Sequence, residues 1–246
     1  MVYRFFEEAY RTNKKLFIVL VDPQVVNDTP GLLEQYTKAF RKTAPSMIFV
    51  GGSLVFDSVA HITEVIKSIC DVPVVLFPGH VSQITPLADA ILFLSLISGR
   101  NPEFLIGQHV VAAPVLKNAR IEVIPTGYIL VDGGTATSVE YISHTKPVPR
   151  YKADILKATA LAGQMLGHKL IYIEGGSGAE NVLSSNILKQ VVDYIDIPVI
   201  VGGGVTTPSQ AVELFNAGAS GVVVGSALEK EPSRLSDFLE TLNDFL

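Results

Sequence analysis

Eight short apolar runs, rich in β-branched residues, recur along the chain with amphipathic segments between most of them. The runs are Leu16–Asp22, Met47–Val50, Val74–Phe77, Ala90–Leu96, Gly127–Val131, Leu170–Ile173, Pro198–Val201 and Gly221–Val224. Unbroken hydrophobicity, as opposed to alternation, marks strands covered on both faces. Helical periodicity occupies Leu32–Lys42, Asp57–Ile69, Pro102–Val111, Lys152–Leu166, Ser185–Tyr194, Pro208–Ala217 and Leu235–Phe245. Strands alternating with helices build βαβ units and a parallel sheet. Eight such strands in 246 residues predict closure into an α/β fold of the (β/α)8 or TIM-barrel type, read as one domain over residues 1–246.

Local signals agree. Pro73 and Pro198 sit at strand starts, where a missing N–H does little harm. Asp57, Ser184 or Ser185, and Thr207 followed by Pro208 read as helix openings. The third connection departs from the pattern. Pro78 to Leu87 form most of the link between the third and fourth strands, and Pro78, Gly79 and Pro86 leave no room for a full helix. The barrel is therefore expected to be modified, with its third outer helix replaced by a loop and an apolar groove left in the wall. The stretch Asp132–Tyr151 is also expected to be an irregular, structured loop of the kind that forms lids.

Composition narrows the function classes. The net charge is −5 and no basic cluster occurs, so nucleic acid is not expected as a partner. The longest apolar stretch, Ala88 to Ser98, is broken by Asp89 and Ser95 and is too short for a membrane span. The first fifteen residues carry acids and no apolar segment, unlike a secretory signal. The single cysteine, Cys70, reads as an inert thiol in a helical pattern. These points lead to an expectation of a cytoplasmic protein.

Glycine turns follow several of the strands: Gly51-Gly52-Ser53, Gly175-Gly176-Ser177-Gly178, Gly202-Gly203-Gly204 and Gly225-Ser226. In a parallel barrel these turns share one rim, and the loops after the seventh and eighth strands are the recurrent phosphate site. Glycine lets main-chain amides approach an anion closely. On the sixth strand, Tyr172 and Glu174 point into the mouth if Ile173 faces the helices. A carboxylate beside a phosphate pocket is a poor phosphate ligand but a good acceptor for a hydroxyl, and thus a candidate general base. Asp22 closes the first strand. Its position fits a loop cap as well as a metal ligand, with Ser53 as a second oxygen for Mg²⁺. His61, His109 and His168 read as surface or packing residues. His80 and His144 lie in rim loops.

These pieces together resemble the geranylgeranylglyceryl phosphate synthase family, which includes the heptaprenylglyceryl phosphate synthases. The resemblance runs from about Lys15 to about Leu228. It rests on Val21-Asp22-Pro23, Val50-Gly51-Gly52-Ser53, Ser98-Gly99-Arg100-Asn101-Pro102, the run Glu122 to Gly134 with its Pro125-Thr126-Gly127-Tyr128 core, Tyr172 to Gly178, Gly202-Gly203-Gly204-Val205 and Val224-Gly225-Ser226. A missing third helix also marks that family. The resemblance implies a prenyltransferase that joins sn-glycerol 1-phosphate to a polyprenyl diphosphate, geranylgeranyl foremost, through an ether bond with Mg²⁺. It implies Glu174 as the catalytic base. It implies Tyr172, Ile173, Glu174, Gly175, Gly176, Ser177, Gly178, Gly203, Gly204, Gly225 and Ser226 as the glycerol-phosphate site, Asp22 and Ser53 as the metal site, and a homo-oligomer, dimeric or hexameric. One departure stands out: family members usually read Asp-Pro-Asp-Lys after the first strand, where this chain has Gln24-Val25. Two other readings use the same turns: a sugar-phosphate isomerase, with Asp132 facing Glu174, and a non-catalytic phosphate-binding scaffold.

Overall fold

The computed structural model describes every residue except Asn13 and residues 56–58, so the Asp57 cap lies outside the described residues. Eight parallel strands close into a barrel in sequence order: β1 (Leu16–Val21), β2 (Met47–Val50), β3 (Val74–Leu76), β4 (Ala90–Leu96), β5 (Glu122–Leu130), β6 (Leu170–Glu174), β7 (Val199–Gly202) and β8 (Gly221–Val224). Closure is made by β1 on β8, with Leu16 opposite Gly221 and Val19 opposite Val224. The helices are α1 (Tyr3–Thr12), α2 (Pro23–Asp28), α3 (Leu32–Lys42), α4 (Val59–Lys67), α5 (Gln108–Ala119), α6 (Ser138–Ser143), α7 (Ala153–Met165), α8 (Ser185–Val192), α9 (Pro208–Asn216), α10 (Ser226–Lys230) and α11 (Leu235–Leu242). No helix among the described residues is long and apolar enough to cross a membrane.

Period-two alternation divides the strands between two cores. On β1, Phe17, Val19 and Val21 pack into the layer between sheet and helices, which also takes Ile171 and Ile173 of β6. Leu16 and Ile18, with Leu170 and Tyr172, point inward to fill the barrel. The bottom of that interior is closed by α1, whose Val2-proximal end, Phe6 and Ala9 join the same inner cluster. The amides of Val2 and Tyr3 are fixed by the Glu122 carboxylate at the start of β5. The sequence reading lacks this helix, whose amphipathic pattern is short.

The third connection is as expected. Between β3 and β4 stands one short 3₁₀ turn, Val81–Gln83, in place of a crossover helix. Gln83 is buried and fastens that turn to the rim, its Nε2 donating to the Gly52 carbonyl at 2.9 Å. Other elements also differ from the sequence reading, among them α2 and α10, which it lacks. Strand β5 begins at Glu122 instead of Gly127 and runs through Pro125, whose carbonyl still accepts from the Lys169 amide. The Pro102–Val111 pattern becomes a π-helical turn, Glu103–Gly107, followed by α5 as far as Ala119, with Pro114 inside. The loop expected over Asp132–Tyr151 contains α6, and Val148 bridges back to Val131.

If α1 acts as the barrel's floor, Phe6→Ala should open a cavity there and cost about 3 kcal/mol. At 2–4 °C per kcal/mol for a chain of this size, the melting temperature should drop by roughly 6–12 °C. Unchanged thermal unfolding would show that the helix contributes no core.

Candidate active site

A cavity of about 450 Å³ opens at the C-terminal rim of the barrel. Asp22, Ser53, Tyr172, Glu174, Gly176, Ser177, Gly178, Gly203, Gly204, Gly225 and Ser226 all line it. The structure thus brings together the expected residues from β1, β2, β6, β7 and β8, apart from Ile173 and Gly175. Ile173 is fully buried on the helix side of β6, and its side chain packs against the outer layer. Gly175 acts through its backbone: its N–H donates to the Gly202 carbonyl at 3.1 Å and ties the β6 and β7 turns together.

Glycine at position 203 is required by this contact. Its φ is +87°, and a Cβ there would stand 2.7 Å from the Gly175 nitrogen. The two turns therefore press backbone to backbone. Ser177 Oγ lies 3.4 Å from Ser226 Oγ, so the turns after β6 and β8 also meet. The start of α9 does not join them. Thr207 and Gln210 form a capping box, and Gln210 Oε1 accepts from the amides of Thr206 and Thr207. Donors for an anion thus come from the glycine turns and from Ser226. Lys230 and Arg234 line the same cavity, and Arg234 is braced by a bond to the Thr206 carbonyl at 3.0 Å. Sequence reading missed both cations, which lie beyond the last recognisable turn.

Glu174 ends β6 with only 5% of its surface exposed. Burial pushes its pKa up to about 7, against a hydrogen bond from Tyr128 Oη to Oε2 at 2.8 Å that favours the charged form. Tyr172 Oη is buried close by, without a well-formed hydrogen bond. The carboxyl is therefore poised to hold or release a proton near neutral pH, as a general base must. Tyr128 belongs to the Pro-Thr-Gly-Tyr segment, but strand parity gave no sign that it would reach Glu174.

Asp22 is a helix cap that also lines the cavity. Its Oδ1 caps α2 by accepting from the Gln24 amide at 2.9 Å. Its Oδ2 lies against the turn after β2, where a Cβ on Gly52 would stand 2.4 Å away. Burial raises the Asp22 pKa. Glu229, unforeseen from sequence, also lines the cavity, and its pKa is raised to about 7 by burial and by the charge of Asp22. Neither carboxylate forms an ion pair among the described residues. No cluster of three or more His, Cys, Asp or Glu suited to a metal occurs among them.

A second, apolar cavity adjoins the first where the third helix is absent. It runs between β3, β4, the 3₁₀ turn and α5, over Ile84, Ile91, Phe93, Leu94, Phe104 and Ala112. Gly52, Ser53, Phe77 and Val139 line both cavities. His80 and His109 both line the groove; His109 is buried edge-on to Phe93, with Nε2 3.1 Å from Ser95 Oγ. Asp132 accepts from the Gly134 amide and does not line the cavity, so the isomerase reading lacks its opposing acid.

A family model described as the PcrB family matches residues 10–242. The chain belongs to this family. It is 44% identical to geranylgeranylglyceryl phosphate synthase of Chitinophaga pinensis, with 98% of this chain and 96% of the relative covered. The enzyme of the same name from Pyrococcus abyssi is 38% identical, with coverage of 93% and 90%. Among solved structures, (S)-3-O-geranylgeranylglyceryl phosphate synthase from Thermoplasma acidophilum, in complex with its substrate sn-glycerol-1-phosphate, superposes with a TM-score of 0.88 at 32% identity. That match covers 98% of this chain and 97% of the other. A thiamine phosphate pyrophosphorylase from Pyrococcus furiosus shares the fold alone, with a TM-score of 0.58 at 15% identity.

The Glu174 carboxyl makes a separate prediction about stability. It titrates near 7 in the folded chain and near the ordinary glutamate value when unfolded, so the folded state binds more protons in between. Stability should therefore fall as pH rises through 7. Glu174→Gln removes that penalty and should stabilise the protein by on the order of 3 kcal/mol at pH 8, with little difference at pH 4. Denaturant titrations at the two pH values check this. An equal effect at both would mean that the carboxyl is not protonated by burial.

Proposed function

We propose that the chain is a prenyltransferase forming an ether bond between sn-glycerol 1-phosphate and a polyprenyl diphosphate, geranylgeranyl foremost, with release of diphosphate. The observation that carries the reading is the junction of two cavities. One is polar, with glycine amides and a buried carboxyl of near-neutral pKa. The other is an apolar groove in the place of a missing helix. A non-catalytic scaffold would need the first but not the second.

In this reading the phosphate of glycerol phosphate sits on the turns of Gly176 to Gly178, Gly203-Gly204 and Gly225-Ser226, with Lys230 and Arg234 adding positive charge. Its free hydroxyl then meets Glu174, beside Tyr172. The C1–O bond of the prenyl diphosphate breaks, and the electron pair leaves with the diphosphate. The glycerol oxygen bonds to C1, and its proton passes to Glu174. The hydrocarbon lies in the groove, where each buried CH₂ contributes about 0.8 kcal/mol.

The residues that follow β1 and β2 fit a magnesium ion. Asp22 and Ser53 offer hard oxygens to one cavity, and Asp22 keeps an oxygen facing the turn that a side chain on Gly52 would fill. Mg²⁺ is commonly held by one or two carboxylates plus substrate phosphates. Bound there, it would neutralise charge on the departing diphosphate. The exposed apolar side chains Ile106, Val110, Val111 and Val115 around α5 supply a face for a homo-oligomer.

Incubation with both substrates and magnesium should release diphosphate and yield the ether. Turnover should rise with pH through about 7 as Glu174 loses its proton. Glu174→Gln should lower it at least ~10²-fold while glycerol phosphate still binds. Diphosphate release at the native rate in this variant would remove Glu174 from the reaction. For the oligomer, replacing Val110 and Val115 together by aspartate should reduce the particle mass measured by light scattering, whereas an unchanged mass would place the interface elsewhere.

A further inference from the structure

The prenyl-transfer reading fixes where the reacting carbon must lie. The diphosphate belongs in the polar cavity and the hydrocarbon in the groove, so C1 of the allylic chain sits where the two meet. Among the described residues, Gly52, Ser53, Phe77 and Val139 line both. Of these four, none carries a formal charge, Ser53 is already assigned to the metal, and Phe77 alone has a π system.

The surroundings of Phe77 suit a cation. Its ring is partly exposed and is held by other rings: Tyr172 at 5.4 Å, Tyr128 at 6.1 Å and Phe49 at 6.5 Å between centroids. Tyr128 and Tyr172 meet edge to face at 5.5 Å, and both are buried. Phe77 thus presents a partly exposed ring held on an aromatic base. An aromatic face attracts positive charge, most strongly where water is excluded. Breaking the C1–O bond before the glycerol oxygen arrives places positive charge on the allylic carbons.

We propose that Phe77 is a catalytic residue, its ring face stabilising the allylic cation at the junction of the two cavities. Tyr128 and Tyr172 are positioning residues that hold the ring. The cation is discharged when the glycerol oxygen bonds to C1 and Glu174 takes the proton, so charge and atoms balance without a further reactant. The proposal rests on the prenyl-transfer reading but adds a role to a residue that this reading does not use.

The test replaces Phe77 by phenylalanines carrying one, two and three ring fluorines, which keep shape while weakening the π face. Single-turnover rates of ether formation are measured with magnesium and saturating substrates. The rate should fall stepwise along the series, about tenfold in total, in keeping with the strength of a cation–π contact. Binding of a saturated prenyl diphosphate of the same length, which cannot form an allylic cation, should stay within twofold. Phe77→Leu should lose more rate than any fluorinated form. A flat rate series in a protein that makes the ether overturns the assignment, as does a loss of analogue binding that matches the loss of rate. No ether from the native protein would instead overturn the prenyl-transfer reading itself.

Discussion

A carboxyl without a counter-ion among the described residues, sunk beside two tyrosines at the end of β6, is the constraint on which the proposed chemistry depends. Water is largely excluded from Glu174, so its charged form is disfavoured, and the hydroxyls of Tyr128, hydrogen-bonded to it, and of Tyr172 close by return only part of the loss. A fold tolerates such a group at a cost in stability, and functional sites are where such costs concentrate. The cost is local. β6 is flanked by fully paired strands, and the turn after it is tied to the β7 turn through Gly175 and Gly203.

Parallel topology does the rest of the assembly. Because all eight strands run the same way, every strand-to-helix turn reaches one rim. Residues as distant in sequence as Asp22 and Glu229 then share one cavity, and the charge of Asp22 raises the pKa of Glu229. The vacated third helix lets an apolar groove break through the wall beside that rim, and Gln83 holds the substitute turn in place.

Much of this was legible from residue order. Eight strands, the missing helix and the glycine turns follow from hydrophobic runs and from proline and glycine placement. The inward aim of Tyr172 and Glu174 follows from the period of a strand. Other features were hidden for physical reasons. Pro125 looked like a strand boundary, yet β5 passes through it because only its N–H is missing. Ile173 was swept into the site with its neighbours, although parity sends it into the helix layer. Tyr128, Phe77, Glu229, Lys230 and Arg234 reach the cavities only through barrel closure, which no local pattern encodes. Asp22 is a helix cap that also lines the cavity.

The account depends on an anion held by main-chain amides at the last three strands, with a hydroxyl against Glu174. A crystal structure with sn-glycerol 1-phosphate tests this most directly. The phosphate is expected on the Gly203-Gly204 and Gly225-Ser226 turns, with a glycerol oxygen within hydrogen-bond distance of the Glu174 carboxyl. A phosphate bound elsewhere, or a glycerol chain directed away from Glu174, would contradict it.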